Sequence, residues 1–152
     1  MEMPMARYLT SIESTATAEQ AFDLIADFSR ITQWDPGVVS GKLLDAGPIK
    51  VGTRFEVVSA VGPRRIPLTY EVLEWNRPSR AVLQATTRDF TSYDVITVTD
   101  LAGSGSEVVY EANLTLHGIR RLGEPFLRVG LQVIGRRAEA GIRRALKNEV
   151  RP

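Results

Sequence analysis

Apolar and polar positions change period twice along this chain, and each change marks a new kind of element. Ala6 to Glu13 mixes apolar and polar residues as a first strand does. In Ser14-Thr15-Ala16-Thr17 either threonine could cap a helix, and Thr17 stands three residues before Gln20, the spacing of a capping box. Ala21, Phe22, Leu24, Ile25 and Phe28 then recur at helical spacing, which predicts a short amphipathic helix over Ala18 to Asp27. A second helical turn is predicted from Ser29 to Trp34. Asp35-Pro36-Gly37 stops it, because proline lacks a donor and glycine tolerates positive φ.

From Val38 the period becomes two, with turn residues at strand-length intervals. The predicted strands are Val38–Asp45, Thr53–Val61, Arg64–Trp75, Arg80–Thr87, Phe90–Thr99 and Glu107–Leu116. On the inner face the alternation places Phe55, Val57, Ser59 and Val61, then Ile66, Leu68, Tyr70 and Val72, then Val108, Tyr110, Ala112, Leu114 and Leu116. Alternation this regular predicts an antiparallel sheet with one buried and one wet face. After Gly118 the helical period returns. Leu122, Phe126, Val129, Val133 and Ile134, then Ala138, Ile142, Ala145 and Leu146, predict one helix of about 25 residues with a break near Gly123-Glu124-Pro125.

This order predicts an α+β chain in which seven antiparallel strands curl around the long C-terminal helix, with two short helices after strand 1. The apolar face of a curled sheet needs a cover, and only the last helix is long enough to provide it. Side chains fill the wide end of such an arrangement poorly, so a ligand cavity is expected near the short helices. Gly130, Gly135 and Gly141 interrupt the helix, each costing about 1 kcal/mol against alanine. They permit either close packing on the sheet or extra volume for a ligand.

Composition narrows the chemistry. The 152 residues contain no cysteine, which excludes disulfides, thiol nucleophiles and cysteine-held metals. One domain over residues 1–152 is expected. Met1 to Thr10 has no leader-like apolar run, and no stretch approaches the roughly 18 apolar residues of a membrane span. A cytoplasmic location is therefore expected. The net charge of +1 conceals a division: residues 118–152 carry nine basic and three acidic residues, +6, which leaves −5 for the rest. The stripe Arg136, Arg137, Arg143, Arg144, Lys147 and Arg151 reads as a solvated helix face, or as a weak contact with an anionic membrane surface. Nucleic acid is not expected as a partner, because no base-stacking cluster accompanies the arginines. No zinc spacing, nucleotide loop or GxSxG elbow occurs, so neither a metal nor a cofactor is expected.

The segments Ser14–Ile31, Trp34-Asp35-Pro36-Gly37-Val38, Val51-Gly52-Thr53-Arg54-Phe55, Pro67–Val72, Asp94–Val98, Glu124–Leu127 and Gly135-Arg136-Arg137 carry a family likeness. The chain resembles the polyketide cyclase/dehydrase-like branch of the START-like, helix-grip superfamily. That resemblance covers nearly the whole chain. It implies the fold just derived and an internal site for a hydrophobic ligand, lipid-, polyketide- or aromatic-like. It also implies that Asp94 faces inward with Ile96 and Val98.

The ligand-site candidates are Trp34, Phe55, Val57, Ser59, Leu68, Tyr70, Leu83, Asp94, Ile96, Tyr110, Ala112, Phe126, Gly130, Val133 and Ile134. The candidates for catalysis are Asp94, Tyr70, Tyr110 and Arg137. An inward carboxylate paired with a helix arginine could serve as acid/base and electrostatic clamp on an enolate. Each has a plainer reading. Trp34 can be a wedge, the tyrosines ordinary core residues, and Asp94 a structural ion pair or a rim carboxylate. A register one residue off would expose Asp94 altogether. His117 reads as a surface residue. Three functions follow: a carrier of a hydrophobic small molecule, a cyclase or dehydratase acting on such a molecule, or an interaction module with a vestigial cavity.

Overall fold

The computed structural model describes residues 6–118 and 124–151, with side chains from residue 130 onward in the second segment. The elements are β1 (Ala6–Ser14), α1 (Ala18–Ala26), a 3-10 turn (Phe28–Gln33), β2 (Val38–Leu43), β3 (Arg54–Val61), β4 (Arg64–Asn76), β5 (Arg80–Thr86), β6 (Phe90–Asp100), β7 (Ser106–Leu116) and α2 (Glu124–Val150). The seven strands form one antiparallel sheet in the order β1-β7-β6-β5-β4-β3-β2. The fold is the expected helix grip, a curled sheet with α2 against it. Boundaries move by one or two residues: β2 ends at Leu43, and Thr53 leaves the strand to accept a hydrogen bond from the Lys50 amide at 3.0 Å.

Local chemistry fixes the first helix. Thr17 Oγ1 accepts from the Gln20 amide at 3.1 Å and Gln20 Oε1 accepts from the Thr17 amide at 2.9 Å, the full capping box. Ala18, Ala21, Phe22, Leu24 and Ile25 are buried. Asp27 then caps the 3-10 turn through the Ser29 amide at 3.0 Å. Phe28, Ile31 and Trp34 point from that segment into the main core, where they meet Phe55, Tyr70, Val72, Leu83, Ile96 and Tyr110 from the sheet.

Helix α2 rests on β1 and on the end of the 3-10 turn through two close approaches. A Cβ at Gly135 would overlap the Tyr8 ring, and one at Gly141 would overlap the Trp34 carbonyl oxygen. Both glycines therefore serve packing. Among the described residues, nothing lies within 4 Å of where a Cβ on Gly130 would stand. Glu139 accepts from Tyr8 Oη at 3.0 Å and from Thr10 Oγ1, and it pairs with Arg143 at 3.6 Å. Arg30 clasps Glu149 at 2.9 and 3.0 Å, tying the far end of α2 to the 3-10 turn.

The apolar stripe read along this helix is not continuous. The face turned to the protein runs through Leu131, Gly135, Ala138, Ile142, Ala145 and Leu146. At about 100° per residue, Val133 stands on the opposite side of that line, and five residues separate it from Ala138. Val133 is accordingly 44% exposed, and Ile134, at the border of the buried face, is 53% exposed. Both were expected inside. Val61, also expected inside, lies exposed at the end of the β3–β4 hairpin.

Candidate functional site

Four polar side chains meet on the inner face of the sheet, and the strand registers bring them together. Asp94 of β6 stands between Leu83 of β5 and the small Ala112 of β7. Tyr110 pairs with Ile96, one inward position along, so its ring leans diagonally toward Asp94. Its hydroxyl donates to Asp94 Oδ2 at 3.1 Å. On the other side Glu71 pairs with Gln84, so Tyr70 of β4 faces Ala85, which in turn pairs with Ser92. The short alanine lets the tyrosine reach across it. Tyr70 Oη and Ser92 Oγ share a hydrogen bond of 2.9 Å, and Ser92 Oγ donates to Asp94 Oδ1 at 3.4 Å.

An aromatic cage covers this relay. The Phe28 ring meets Tyr70 edge-on at 5.0 Å, and Trp34 meets Tyr110 edge-on at 5.5 Å. Edge-to-face rings at these separations pack favourably. Phe28 also touches Trp34 at 6.3 Å and Phe55 at 6.2 Å. The 3-10 turn thus sits over the polar cluster.

The electrostatics follow from burial. Asp94 is 4% exposed, and no cation among the described residues pairs with it. Desolvation is the main cause that pushes its carboxyl from the usual 3.8 up to about 7, and the nearby Asp35 carboxyl adds to the shift. The hydroxyls of Tyr110 and Ser92 pull the other way. Asp35 is itself raised by burial, partly offset by the Gly37 amide it accepts from at 2.9 Å. Burial likewise holds the Tyr70 and Tyr110 phenols well above their ordinary range, and the Asp94 charge adds to this. Trp34 is 1% exposed, and its indole N–H has no acceptor among the described residues. An orphaned buried donor of this kind costs about 1–3 kcal/mol. An acidic, hydroxyl-rich cluster with an unused N–H is suited to hydrogen bonding and to proton exchange near neutrality.

The structure brings together most of the residues expected at the site. Trp34, Phe55, Val57, Leu68, Tyr70, Leu83, Asp94, Ile96 and Tyr110 are buried together, and Ser59, Ala112 and Gly130 are half-buried. Phe126 lies outside the described side chains. Val133 and Ile134 are exposed for the reason of helix phase given above. Arg137 shares that outer face and is exposed, so it is not the partner of Asp94. Among the described residues the carboxyl is held by hydroxyls. Sequence reasoning missed Ser92, which stands two residues before Asp94 and therefore on its face. It also missed Asp35, whose turn-forming role in Asp-Pro-Gly concealed an inward carboxyl. His117 lies at the end of β7, half-buried, with Nε2 2.8 Å from Thr91 Oγ1.

No helix among the described residues is long and apolar enough to cross a membrane. Solved structures share the fold at low identity. The aromatase/cyclase Zhui from Streptomyces sp. R1128 is 13% identical with a TM-score of 0.72, covering 94% of this chain and 92% of that one. The di-domain aromatase/cyclase BexL of the BE-7585A biosynthetic pathway is 13% identical with a TM-score of 0.75, covering 96% of this chain and 48% of that one. TTHA0849 from Thermus thermophilus is 18% identical with a TM-score of 0.69, covering 95% of each. No curated protein matches the chain in sequence. Residues 5–150 match the family described as "Polyketide cyclase / dehydrase and lipid transport", and the chain belongs to that family.

Proposed function

We propose that the chain binds a hydrophobic small molecule between its sheet and C-terminal helix, with the Asp94 cluster recognising a polar group on that molecule. One observation carries this reading. A carboxyl sits in an aromatic core with Tyr110 and Ser92 as its partners, where a purely structural residue would be apolar or ion-paired. The family and the fold likeness to two aromatase/cyclases support a ligand of polyketide, aromatic or lipid character.

A second reading is favoured by the same carboxyl. An acid poised near 7, held by the Tyr110 phenol and by Ser92, which links it to Tyr70, is matched to proton transfer in the aldol cyclisation or dehydration of a bound polyketide. In that case Asp94 exchanges the proton, and the hydroxyls orient the carbonyl.

Titration of the protein with Nile red, a neutral solvatochromic dye, tests the binding reading. Saturable one-to-one uptake with a blue-shifted emission, competed by unlabelled hydrophobic molecules, is the expected result. Dye that never leaves water in the presence of folded protein contradicts it and favours an interaction module. Turnover of a linear polyketide mimic by the protein, lost in Asp94→Asn, distinguishes the enzyme from the carrier.

A further inference from the structure

We infer that the ligand presents a neutral carbonyl oxygen to the Asp94 cluster, with the Trp34 indole N–H as a donor to it, and that the site rejects carboxylates. The inference rests on the interior being a ligand site, and it adds the chemistry of the recognised group. Three features lead to it.

The first is the sign of the site. Asp94 is a buried acid and Asp35 a half-buried one, and the groups acting on Asp94 are Tyr110, Asp35 and Ser92, none of them cationic. An acid head group brought here meets the buried Asp94 carboxyl and no counter-charge among the described residues, so its desolvation is uncompensated. The second is the unused donor. The Trp34 N–H is buried, lacks an acceptor among the described residues, and belongs to a ring packed against Tyr110. A ligand acceptor satisfies it, whereas a hydrocarbon leaves it orphaned.

The third is the direction of the hydroxyl relay. With Asp94 ionised, Tyr110 and Ser92 both donate to it, and Tyr70 donates to Ser92. With Asp94 protonated, the carboxyl proton is donated to Ser92, Ser92 donates to Tyr70, and the Tyr70 O–H is released. The neutral cluster thus has one spare hydroxyl donor in addition to the indole. Both suit the two lone pairs of a ketone.

Matched probes on one ring system test this: 2-acetylnaphthalene (a ketone), 2-ethylnaphthalene (no acceptor), 2-naphthoate (an anion) and 2-(aminomethyl)naphthalene (a cation). Each competes with Nile red on the full chain at pH 6, where Asp94 is mostly protonated, the naphthoate is still an anion and the amine still a cation. The ketone is expected to bind at least tenfold more tightly than the anion, and more tightly than the hydrocarbon and the amine. Its carbonyl stretch in the infrared is expected to shift down on binding. Trp34→Phe keeps a ring and the backbone carbonyl that seats Gly141. It should weaken the ketone about tenfold, leave 2-ethylnaphthalene unchanged, and reverse part of the infrared shift. Equal affinities across the four probes, or preference for the anion or the amine, overturn the inference while leaving the ligand site standing. Failure of all four, with Nile red also unbound, removes the ligand site itself. If Trp34→Phe does not fold, the wild-type probe ranking and infrared shift still decide.

Discussion

Replacing Asp94 by asparagine should stabilise the protein, and by an amount that depends on pH. Burial makes the folded protein hold the Asp94 proton more tightly than the unfolded chain does, at about 7 against 3.8. The group therefore favours folding below pH 3.8, and that advantage is lost as pH rises toward 7. Above pH 7 the full loss, about three pKa steps at 1.36 kcal/mol each, is roughly 4 kcal/mol. At pH 5 somewhat over a third of that loss has already occurred, so wild type should lose roughly 3 kcal/mol between pH 5 and pH 8.5 through this one residue. Asparagine has the same shape, keeps an acceptor for Tyr110, and does not ionise. Urea unfolding of wild type and Asp94→Asn at both pH values measures the difference. Asparagine should gain roughly 3 kcal/mol on wild type as pH rises from 5 to 8.5, which is roughly 6–12 °C in Tm for a domain of this size. A stability difference that is the same at both pH values would falsify the idea that Asp94 is an unpaired buried acid.

The helix glycines give opposite outcomes from one substitution. Gly141→Ala pushes a methyl against the Trp34 carbonyl, so it should cost about 2 kcal/mol net of the gain in helix propensity. Gly130→Ala meets nothing among the described residues and should gain about 1 kcal/mol. Thermal melts separate the two. Thr17→Ala removes one arm of the capping box and should cost about 1 kcal/mol, read by denaturant unfolding. Arg136, Arg137, Arg144 and Lys147 on the outer side of α2, and Arg151 just past its end, are exposed without ion pairs among the described residues. If this face meets an anionic bilayer, the protein co-sediments with phosphatidylglycerol vesicles at low salt. Each Arg→Gln change then lowers partition about fivefold, at about 1 kcal/mol per charge. Protein that stays in the supernatant makes it a solvated face.

Much of this was legible in sequence because the governing rules are local. Period two in β4 and β7 put Tyr70 and Tyr110 on the inner face, whereas for Asp94 in β6 periodicity left two registers open and only the family resemblance pointed inward, where the structure buries it. The Thr17–Gln20 spacing gave the capping box directly. What sequence left hidden depends on contacts across the fold. A helix stripe that breaks phase between Ile134 and Ala138 looks continuous in one dimension. The Arg137 partnership failed for that reason. Ser92 was invisible because its importance comes from Ala85, whose small side chain lets Tyr70 reach it across a strand. The glycines remained ambiguous until their neighbours were known: Tyr8 and Trp34 fill the space beside two of them, and nothing among the described residues fills it beside Gly130.

Native mass spectrometry of the freshly purified protein, with denaturing extraction of whatever it retains, tests the central claim most directly. A stoichiometric, neutral, hydrophobic molecule bearing a carbonyl is the predicted result. Protein that carries nothing and takes up neither Nile red nor 2-acetylnaphthalene contradicts the account.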